Sequence, residues 1–286
     1  MRKVELAKTG EYIPILGQGT WGIKKFGNKE YYEKWKQSIR KGIELGIVHI
    51  DTAEFYGLGA SERTVGDVIK EYNRDDLFIT TKLFPMHFRY KSMKKAAYKS
   101  VERLGINRVD LYLIHWPSPL VSIEKQMKVL EDLVKEEKVR YVGVSNFSVD
   151  QFKEAQGYLN DVELVNNQLL ANITRQKHLI ESLSYYQEKG ITMTAYSPLG
   201  HRGFTDLKGD LREKLNKIAE NHNASIQQVA IAWLINHKKV ITIPKAFKIE
   251  HVEANAKAAE IQLNANEIKS LHTNQDIPNI LEFVTA

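Results

Sequence analysis

Leu77-Phe78-Ile79-Thr80-Thr81-Lys82 and Asp110-Leu111-Tyr112-Leu113-Ile114-His115 frame a stretch, residues 92–105, in which apolar side chains recur at helical spacing. Each flanking run is short, rich in β-branched and large apolar residues, and closes on a polar head group. A run that is apolar without alternation reads as a strand covered on both faces. A strand–helix–strand succession makes the two strands parallel, with the helix packed across them. Working outward, the same unit recurs. Runs of the strand type occupy residues 15–19, 47–51, 77–82, 110–115, 139–146, 163–168, 191–197 and 240–245. Helical patterns between them fill 31–46, 61–72, 92–105, 123–137, 149–159 and 178–189. Residues 210–236 read as two helices broken near 221–224, and a further helix, 251–259, follows the eighth strand.

Eight such units in 286 residues, with no linker or low-complexity break, fit a closed barrel better than an open doubly wound sheet. A one-domain barrel of this kind runs to about 250 residues. The expected fold class is therefore α/β: a (β/α)8 TIM barrel, one domain over residues 1–286, with extra helices near the C-terminus. Residues 4–6 and 12–13, around Thr9-Gly10, read as an N-terminal β-hairpin outside the repeat, placed to close the N-terminal end of the barrel.

Hydrophobic residues make up 43% of the chain and charged residues 27%, the balance of a globular protein with a large core. No apolar run is long enough to span a membrane, and Met1-Arg2-Lys3-Val4-Glu5 lacks the apolar stretch of a secretory leader. A cytoplasmic monomer without membrane partners is the expectation. The chain has no cysteine, which removes disulfides, thiolate metal sites and cysteine nucleophiles. The net charge of +6 is scattered through helical stretches such as 90–100 instead of being gathered with aromatics. That argues against a nucleic-acid partner and suits an anionic small ligand such as a cofactor phosphate.

The strand ends say more than the strands. From the second onward the runs finish on Asp51, Lys82, His115, Ser145-Asn146, Gln168, Tyr196-Ser197 and Lys245. In a β/α barrel these positions gather on one rim, where the loops that follow the strands build the site. A different motif competes for attention: Gly17-Gln18-Gly19-Thr20-Trp21-Gly22 satisfies G-x-G-x-x-G after a strand. The next helix begins only near residues 29–31, so no helix N-terminus meets a pyrophosphate at the glycines. Asp51 also lies 29 residues beyond Gly22, past the usual spacing of about 20. The motif is read instead as glycines that let the chain turn tightly over the barrel mouth.

Asp51, Tyr56, Lys82 and His115 each have an ordinary explanation alone: a turn cap, a packing aromatic, a solvated lysine, a core histidine. Together on one rim they form a proton-donating set. A tyrosine is a poor acid at neutral pH, and an adjacent ammonium is expected to lower its pKa. A paired aspartate keeps a buried lysine charged, and a neutral imidazole orients a carbonyl oxygen or shares the proton transfer.

Asp51-Thr52-Ala53-Glu54-Phe55-Tyr56-Gly57 is similar to the D-[ST]-A-x-x-Y-G signature of the aldo-keto reductases. The resemblance runs on in order through Thr81-Lys82-Leu83-Phe84, Leu113-Ile114-His115-Trp116-Pro117, Gly143-Val144-Ser145-Asn146-Phe147 and Asn167-Gln168. It continues in Tyr196-Ser197-Pro198-Leu199-Gly200 and Ile243-Pro244-Lys245, and reaches from Leu16 to Asn255. The resemblance implies a nicotinamide-dependent carbonyl reductase with Tyr56 as general acid, Lys82 and Asp51 tuning it, and His115 positioning the carbonyl. It also implies a cofactor extended across the rim, with no metal. Ser145, Asn146 and Gln168 would hold its carboxamide and Tyr196 would stack on the nicotinamide. Ser197, Leu199 and Gly200 would follow the pyrophosphate, and Lys245, Ala246, Phe247, His251 and Asn255 would surround the adenosine, with Gly19, Thr20, Trp21 and Asp51 completing the cofactor set. Trp21, Phe55, Phe84 and Trp116 are candidates for an apolar substrate wall beside Tyr56 and His115.

Two departures from the family pattern bear on the cofactor. Ala246 lacks the hydroxyl that many members carry after the lysine, and His251 stands where many have arginine, a permanently charged fork. NADP(H) is expected to be preferred, with NAD(H) as a weaker second coenzyme. The loop at 117–122 is short, so the site is expected to be open to several small carbonyls or aldoses. Three rival functions use the same residues. One is a nicotinamide-binding regulatory or redox-sensing subunit. Another is a Schiff-base enzyme with a neutral Lys82 as nucleophile. The third is physiological oxidation of an alcohol or sugar.

Overall fold

The computed structural model describes residues 1–200 and 203–273. At the N-terminus β1 (Lys3–Glu5) and β2 (Tyr12–Pro14) form an antiparallel pair with Val4 opposite Ile13. Eight further strands lie side by side in chain order: β3 (Gln18–Gly19), β4 (His49–Asp51), β5 (Phe78–Leu83), β6 (Val109–Ile114), β7 (Val139–Ser145), β8 (Leu164–Leu170), β9 (Thr192–Tyr196) and β10 (Val240–Thr242). Every adjacent pair is parallel.

The two edges meet. Leu16 bridges Thr242 in parallel, the Gly17 N–H donates to Thr242 O at 2.8 Å, and the Gly19 N–H donates to Pro244 O at 3.2 Å. The first strand candidate is thus divided between two neighbours: Gln18 and Gly19 pair with β4, while residues 15–17 reach across to β10. β10 itself ends at Thr242, and Pro244, which has no N–H to donate, still accepts from Gly19 across the seam. The glycines serve this seam. A Cβ on Gly19 would stand 2.6 Å from Ile243 O, and one on Gly17 would stand 2.8 Å from His49 Nδ1. Close approach of strands, not a turn over the mouth, is what Gly17 and Gly19 provide.

Helices cover the outside. They are α1 (Lys29–Glu44), α2 (Ala60–Ile69), α3 (Tyr90–Leu104), α4 (Ile123–Lys135), α5 (Val149–Gly157), α6 (Lys177–Glu181), α7 (Leu183–Lys189), α8 (Asp210–Asn221), α9 (Ile226–Ile235), α10 (Ile249–Ala258) and α11 (Ala265–Ser270). Their ends are set locally. Asn28, Ser122, Ser148, Ser225 and Asn264 each accept a backbone N–H at a helix start, and Gly105 (φ +67°) and Gly190 (φ +73°) end α3 and α7 in the left-handed region. Residues 178–189, which the pattern predicts as one helix, divide between α6 and α7. Ser182, at φ −124°, separates the two.

One core lies between strands and helices, with Trp233, Leu130, Phe152 and Val65 fully buried. A second joins the barrel interior to the hairpin, packing Leu6, Ile13 and Leu16 against Phe78, Leu111, Val165 and Ile241. The Ala7 N–H donates to Thr192 Oγ1 at 2.9 Å and Lys239 Nζ donates to Glu5 O at 3.2 Å. The hairpin therefore closes the N-terminal end and leaves the opposite rim for chemistry. No described helix is long and apolar enough to cross a membrane.

Buried histidines make the fold acid-sensitive. Burial, with Lys82 adding to it, pushes His49 down to about 3. Burial pushes His237 down to about 4, and burial with the neighbouring His237 does the same to His272. The His237 Nδ1–H donates to Trp233 O at 2.7 Å, and its Nε2 faces His272 Nε2 at 3.3 Å. Because the folded values lie below the unfolded 6.5, their contribution is complete above pH 6.5. Below it the unfolded chain takes protons that the folded chain refuses, at about 1.4 kcal/mol per pH unit for each fully buried histidine. Melts by circular dichroism should show the midpoint falling from pH 6.5 to 4, with a shallower fall in His272→Gln. Parallel curves for the two proteins would contradict this origin.

Candidate active site

At the open rim β4, β5 and β8 aim three polar side chains at one point. Lys82 Nζ lies 2.5 Å from Asp51 Oδ1 and donates also to Thr52 O at 2.9 Å, while Gln168 Nε2 donates to Asp51 Oδ2 at 2.8 Å. Lys82 is 0% and Asp51 1% exposed, so the reading of Lys82 as a solvated lysine fails. Burial pushes the Asp51 carboxyl up and the Lys82 ammonium down, and each partner opposes the shift of the other. Paired oppositely charged groups, each with a further hydrogen bond, are the form in which such residues persist in an interior.

Tyr56 follows β4 in a tight turn. Gly57, Leu58 and Gly59 all have positive φ (+58°, +51° and +83°), and a Cβ on Gly57 would stand 2.5 Å from Ile23 O. Lys82 Nζ is 5.2 Å from the centroid of the Tyr56 ring, and the His115 ring is 5.7 Å from it. The expected direction of the Tyr56 shift is overturned. Burial raises the hydroxyl well above its ordinary value, and the nearby Asp51 and Tyr196 raise it further. The Lys82 charge is neutralised by Asp51 instead of being turned on the phenol. Tyr56 is accordingly a firmly protonated group held beside a buried ion pair.

His115 is buried, and burial together with the charge of Lys82 pushes it down to about 2. It is neutral at physiological pH. Its Nδ1 is buried without a hydrogen-bond partner among the described residues, so the tautomer that avoids stranding an N–H there carries the proton on Nε2. The Trp116 ring stacks on His115 at 3.7 Å. Phe55 and Phe84 stack at 4.4 Å with 6° between their planes, and Trp116 stands edge-on to both. The wall candidates Phe55, Phe84 and Trp116 therefore form one aromatic group beside Tyr56 and His115.

A second cluster adjoins the first. Asn146, at φ +63°, donates through Nδ2 to His115 O and to Ser145 Oγ at 3.0 Å, and its Oδ1 accepts from the Tyr196 hydroxyl at 2.9 Å. Ser145 Oγ donates to Gln168 O. Ser197 (φ +52°) and Gly200 (φ +60°) close a turn after β9, with the Gly200 N–H on Ser197 O and Leu199 packed on the core. Thr20 Oγ1 donates to Asp51 O at 2.9 Å and lies 2.7 Å from Ser61 Oγ.

The remaining candidates gather between α1 and α10. Phe247 lies against Trp35 (5.2 Å) and Tyr31 (5.6 Å), Ala246 O accepts from Ser38 Oγ, Asn255 is buried on α10, and His251 is exposed in its first turn. Lys245 reaches over Gly22 to 5.8 Å from the Trp21 ring, and Trp21 is 55% exposed. Lys245 and Lys248 are exposed, and α10 starts without a side-chain cap. Exposed ammonium groups beside an uncapped helix start fit a phosphate. Among the described residues no group of three or more His, Asp or Glu is placed to hold a metal. A groove of about 820 Å³, lined by Arg74, Asp110, Arg140 and hairpin residues, lies at the opposite, N-terminal end.

Thr52, Ser61 and Glu54 also belong to this region, Ser61 Oγ lying 2.7 Å from Thr20 Oγ1 and 2.8 Å from Thr52 Oγ1. Glu54 stands inside the D-T-A-E-F-Y-G segment, at a position that the signature leaves free, so nothing in the motif marks it.

Comparison with known proteins agrees with this geometry. Residues 15–274 match the Aldo/keto reductase family. The chain is 33% identical over 261 residues to the Escherichia coli (strain K12) methylglyoxal reductase YeaE, covering 91% of this chain and 90% of that one. It superposes with a TM-score of 0.90 and 38% identity on the thermostable aldo-keto reductase Tm1743, solved with the inhibitor epalrestat, over 95% and 98% of the two chains. An aldo/keto reductase from Klebsiella pneumoniae, solved with NADP and acetate, superposes with a TM-score of 0.85 at 28% identity over 96% and 98%.

Proposed function

The chain belongs to the aldo/keto reductase family, and from that premise we propose that it reduces small aldehydes and ketones to alcohols with NADPH, Tyr56 giving the proton. The observation that carries this reading is the buried Asp51–Lys82 pair beneath Tyr56, with neutral His115 alongside. The coenzyme, when bound, supplies hydride to the carbonyl carbon. This chain's own part is to place the carbonyl and to manage the proton. His115, protonated on Nε2, donates to the carbonyl oxygen and fixes it. Tyr56 Oη gives its proton to that oxygen as negative charge builds on it, and burial with the nearby Asp51 keeps that proton on Tyr56 until then.

Ser145, Asn146 and Gln168 would hold the carboxamide of the coenzyme, and Tyr196 would lie against its ring. Ser197, Leu199 and Gly200 would follow the pyrophosphate, with Gly19, Thr20 and Trp21 on the facing edge. Lys245, Ala246, Phe247, His251 and Asn255 would take the adenosine end. On this reading the whole chain, 1–286, acts as one domain, a cytoplasmic monomer working on small molecules. Its absence of cysteine suits such a setting.

Steady-state consumption of NADPH and NADH with methylglyoxal, simple aldehydes and aldoses tests the proposal. Turnover is expected with several aldehydes. Because Ala246 lacks a hydroxyl and exposed His251 replaces a fixed charge, leaving exposed Lys245 and Lys248 to meet the phosphate, the preference for NADPH should stay within about tenfold. Tight binding of both coenzymes without consumption of either would favour the sensor reading instead.

A further inference from the structure

The loop that carries Tyr56 and the loop that follows β5 are joined by one side chain. Glu54 Oε1 accepts the backbone N–H of Phe84 at 2.7 Å and the His87 Nε2–H at 3.1 Å, while Arg103 Nη2 stands 4.0 Å from its other oxygen. The carboxylate side chain is only 12% exposed. Arg103 is itself anchored, with Nε at 2.5 Å from the fully buried Glu62. The residue after Glu54 is Phe55, whose ring stacks on Phe84 at 4.4 Å. Glu54 thus holds the backbone of one ring of the stacked pair while its own chain neighbour supplies the other.

We propose that Glu54 is a positioning residue: by tying Phe84 N–H to the segment that bears Phe55 and Tyr56, it holds the stacked rings as a fixed wall that selects flat aromatic carbonyls. The inference rests on the reductase reading of this site. Two rings side by side lose their alignment when one backbone is freed, and an aromatic substrate loses the surface against which it packs. A two- or three-carbon dicarbonyl needs only Tyr56 and His115. An aligned aromatic contact is worth about 0.5–1.5 kcal/mol, so freeing Phe84 should cost an aromatic substrate up to about tenfold.

The test compares wild type, Glu54→Ala and Glu54→Gln by two readouts: hydrogen exchange of the Phe84 amide by NMR, and kcat and KM for 4-nitrobenzaldehyde and methylglyoxal with NADPH. In Glu54→Ala the Phe84 amide should exchange at least about tenfold faster, and the ratio of kcat/KM for the aromatic substrate over methylglyoxal should fall about tenfold through KM. Glu54→Gln keeps an oxygen for the Phe84 N–H and should restore both. The proposal is overturned if the ratio moves less than twofold in Glu54→Ala, if the Phe84 amide is unaffected, or if Glu54→Gln is as impaired as Glu54→Ala. Should Glu54→Ala not fold, Glu54→Leu keeps the volume without the acceptor and carries the same expectations. If wild type consumes NADPH with neither substrate, the reductase reading fails, and amide exchange alone still decides whether Glu54 holds Phe84.

Discussion

Tyr56→Phe should lower kcat/KM for aldehyde reduction by about a thousandfold while coenzyme still quenches the protein fluorescence. The substitution removes one oxygen and leaves the ring in its contacts with Lys82 and His115. Neither neighbour can replace the lost proton. His115 is held neutral, down to about 2, so no imidazolium is at hand near pH 7. Lys82 gives two of its three hydrogens to Asp51 and Thr52, and its pairing with Asp51 holds the proton on the ammonium. The raised pKa of Tyr56 adds a corollary: as the acid form is the stable one, reduction should not decline through the pH range just below 10. Activity within tenfold of wild type would mean that another group is the acid.

Lys82→Met should be the most damaging substitution for stability. It leaves the Asp51 carboxylate buried with Gln168 as its remaining side-chain donor. Removing one partner of a buried pair costs about 3–5 kcal/mol, because the other charge stays desolvated. For a chain of this size that lowers the melting midpoint by roughly 5–10 °C. The double variant Asp51→Leu/Lys82→Met, which removes both charges, should recover most of the loss while remaining inactive. Equal midpoints for the single and double variants would show that the pair is not held as described.

The repeat was legible because it is local. Apolar runs in β5 and β6 announce strands, and Ser, Asn and Gly at helix ends announce their limits. Strand ends in a barrel share a rim, so Asp51, Lys82, His115 and Gln168 could be assembled from order alone. What joins distant residues left little trace. The Gln168–Asp51 hydrogen bond spans 117 residues, and no periodicity marks it. The barrel seam at Gly17, Gly19 and Pro244 depends on where β10 falls in space. The sequence points the Tyr56 shift the wrong way for the same reason: it shows the ammonium, but not its commitment to Asp51 or the depth of burial. Glu54 escaped because its bonds to Phe84 and His87 link two loops whose contact no motif records.

The most direct measurement is transfer of label. NADPH carrying deuterium at both C4 positions, incubated with an aldehyde and this protein, should give an alcohol one mass unit heavier, with the deuterium on the carbinol carbon. An alcohol formed without label, or coenzyme bound and recovered intact with aldehyde unchanged, would contradict the assignment of this site to carbonyl reduction.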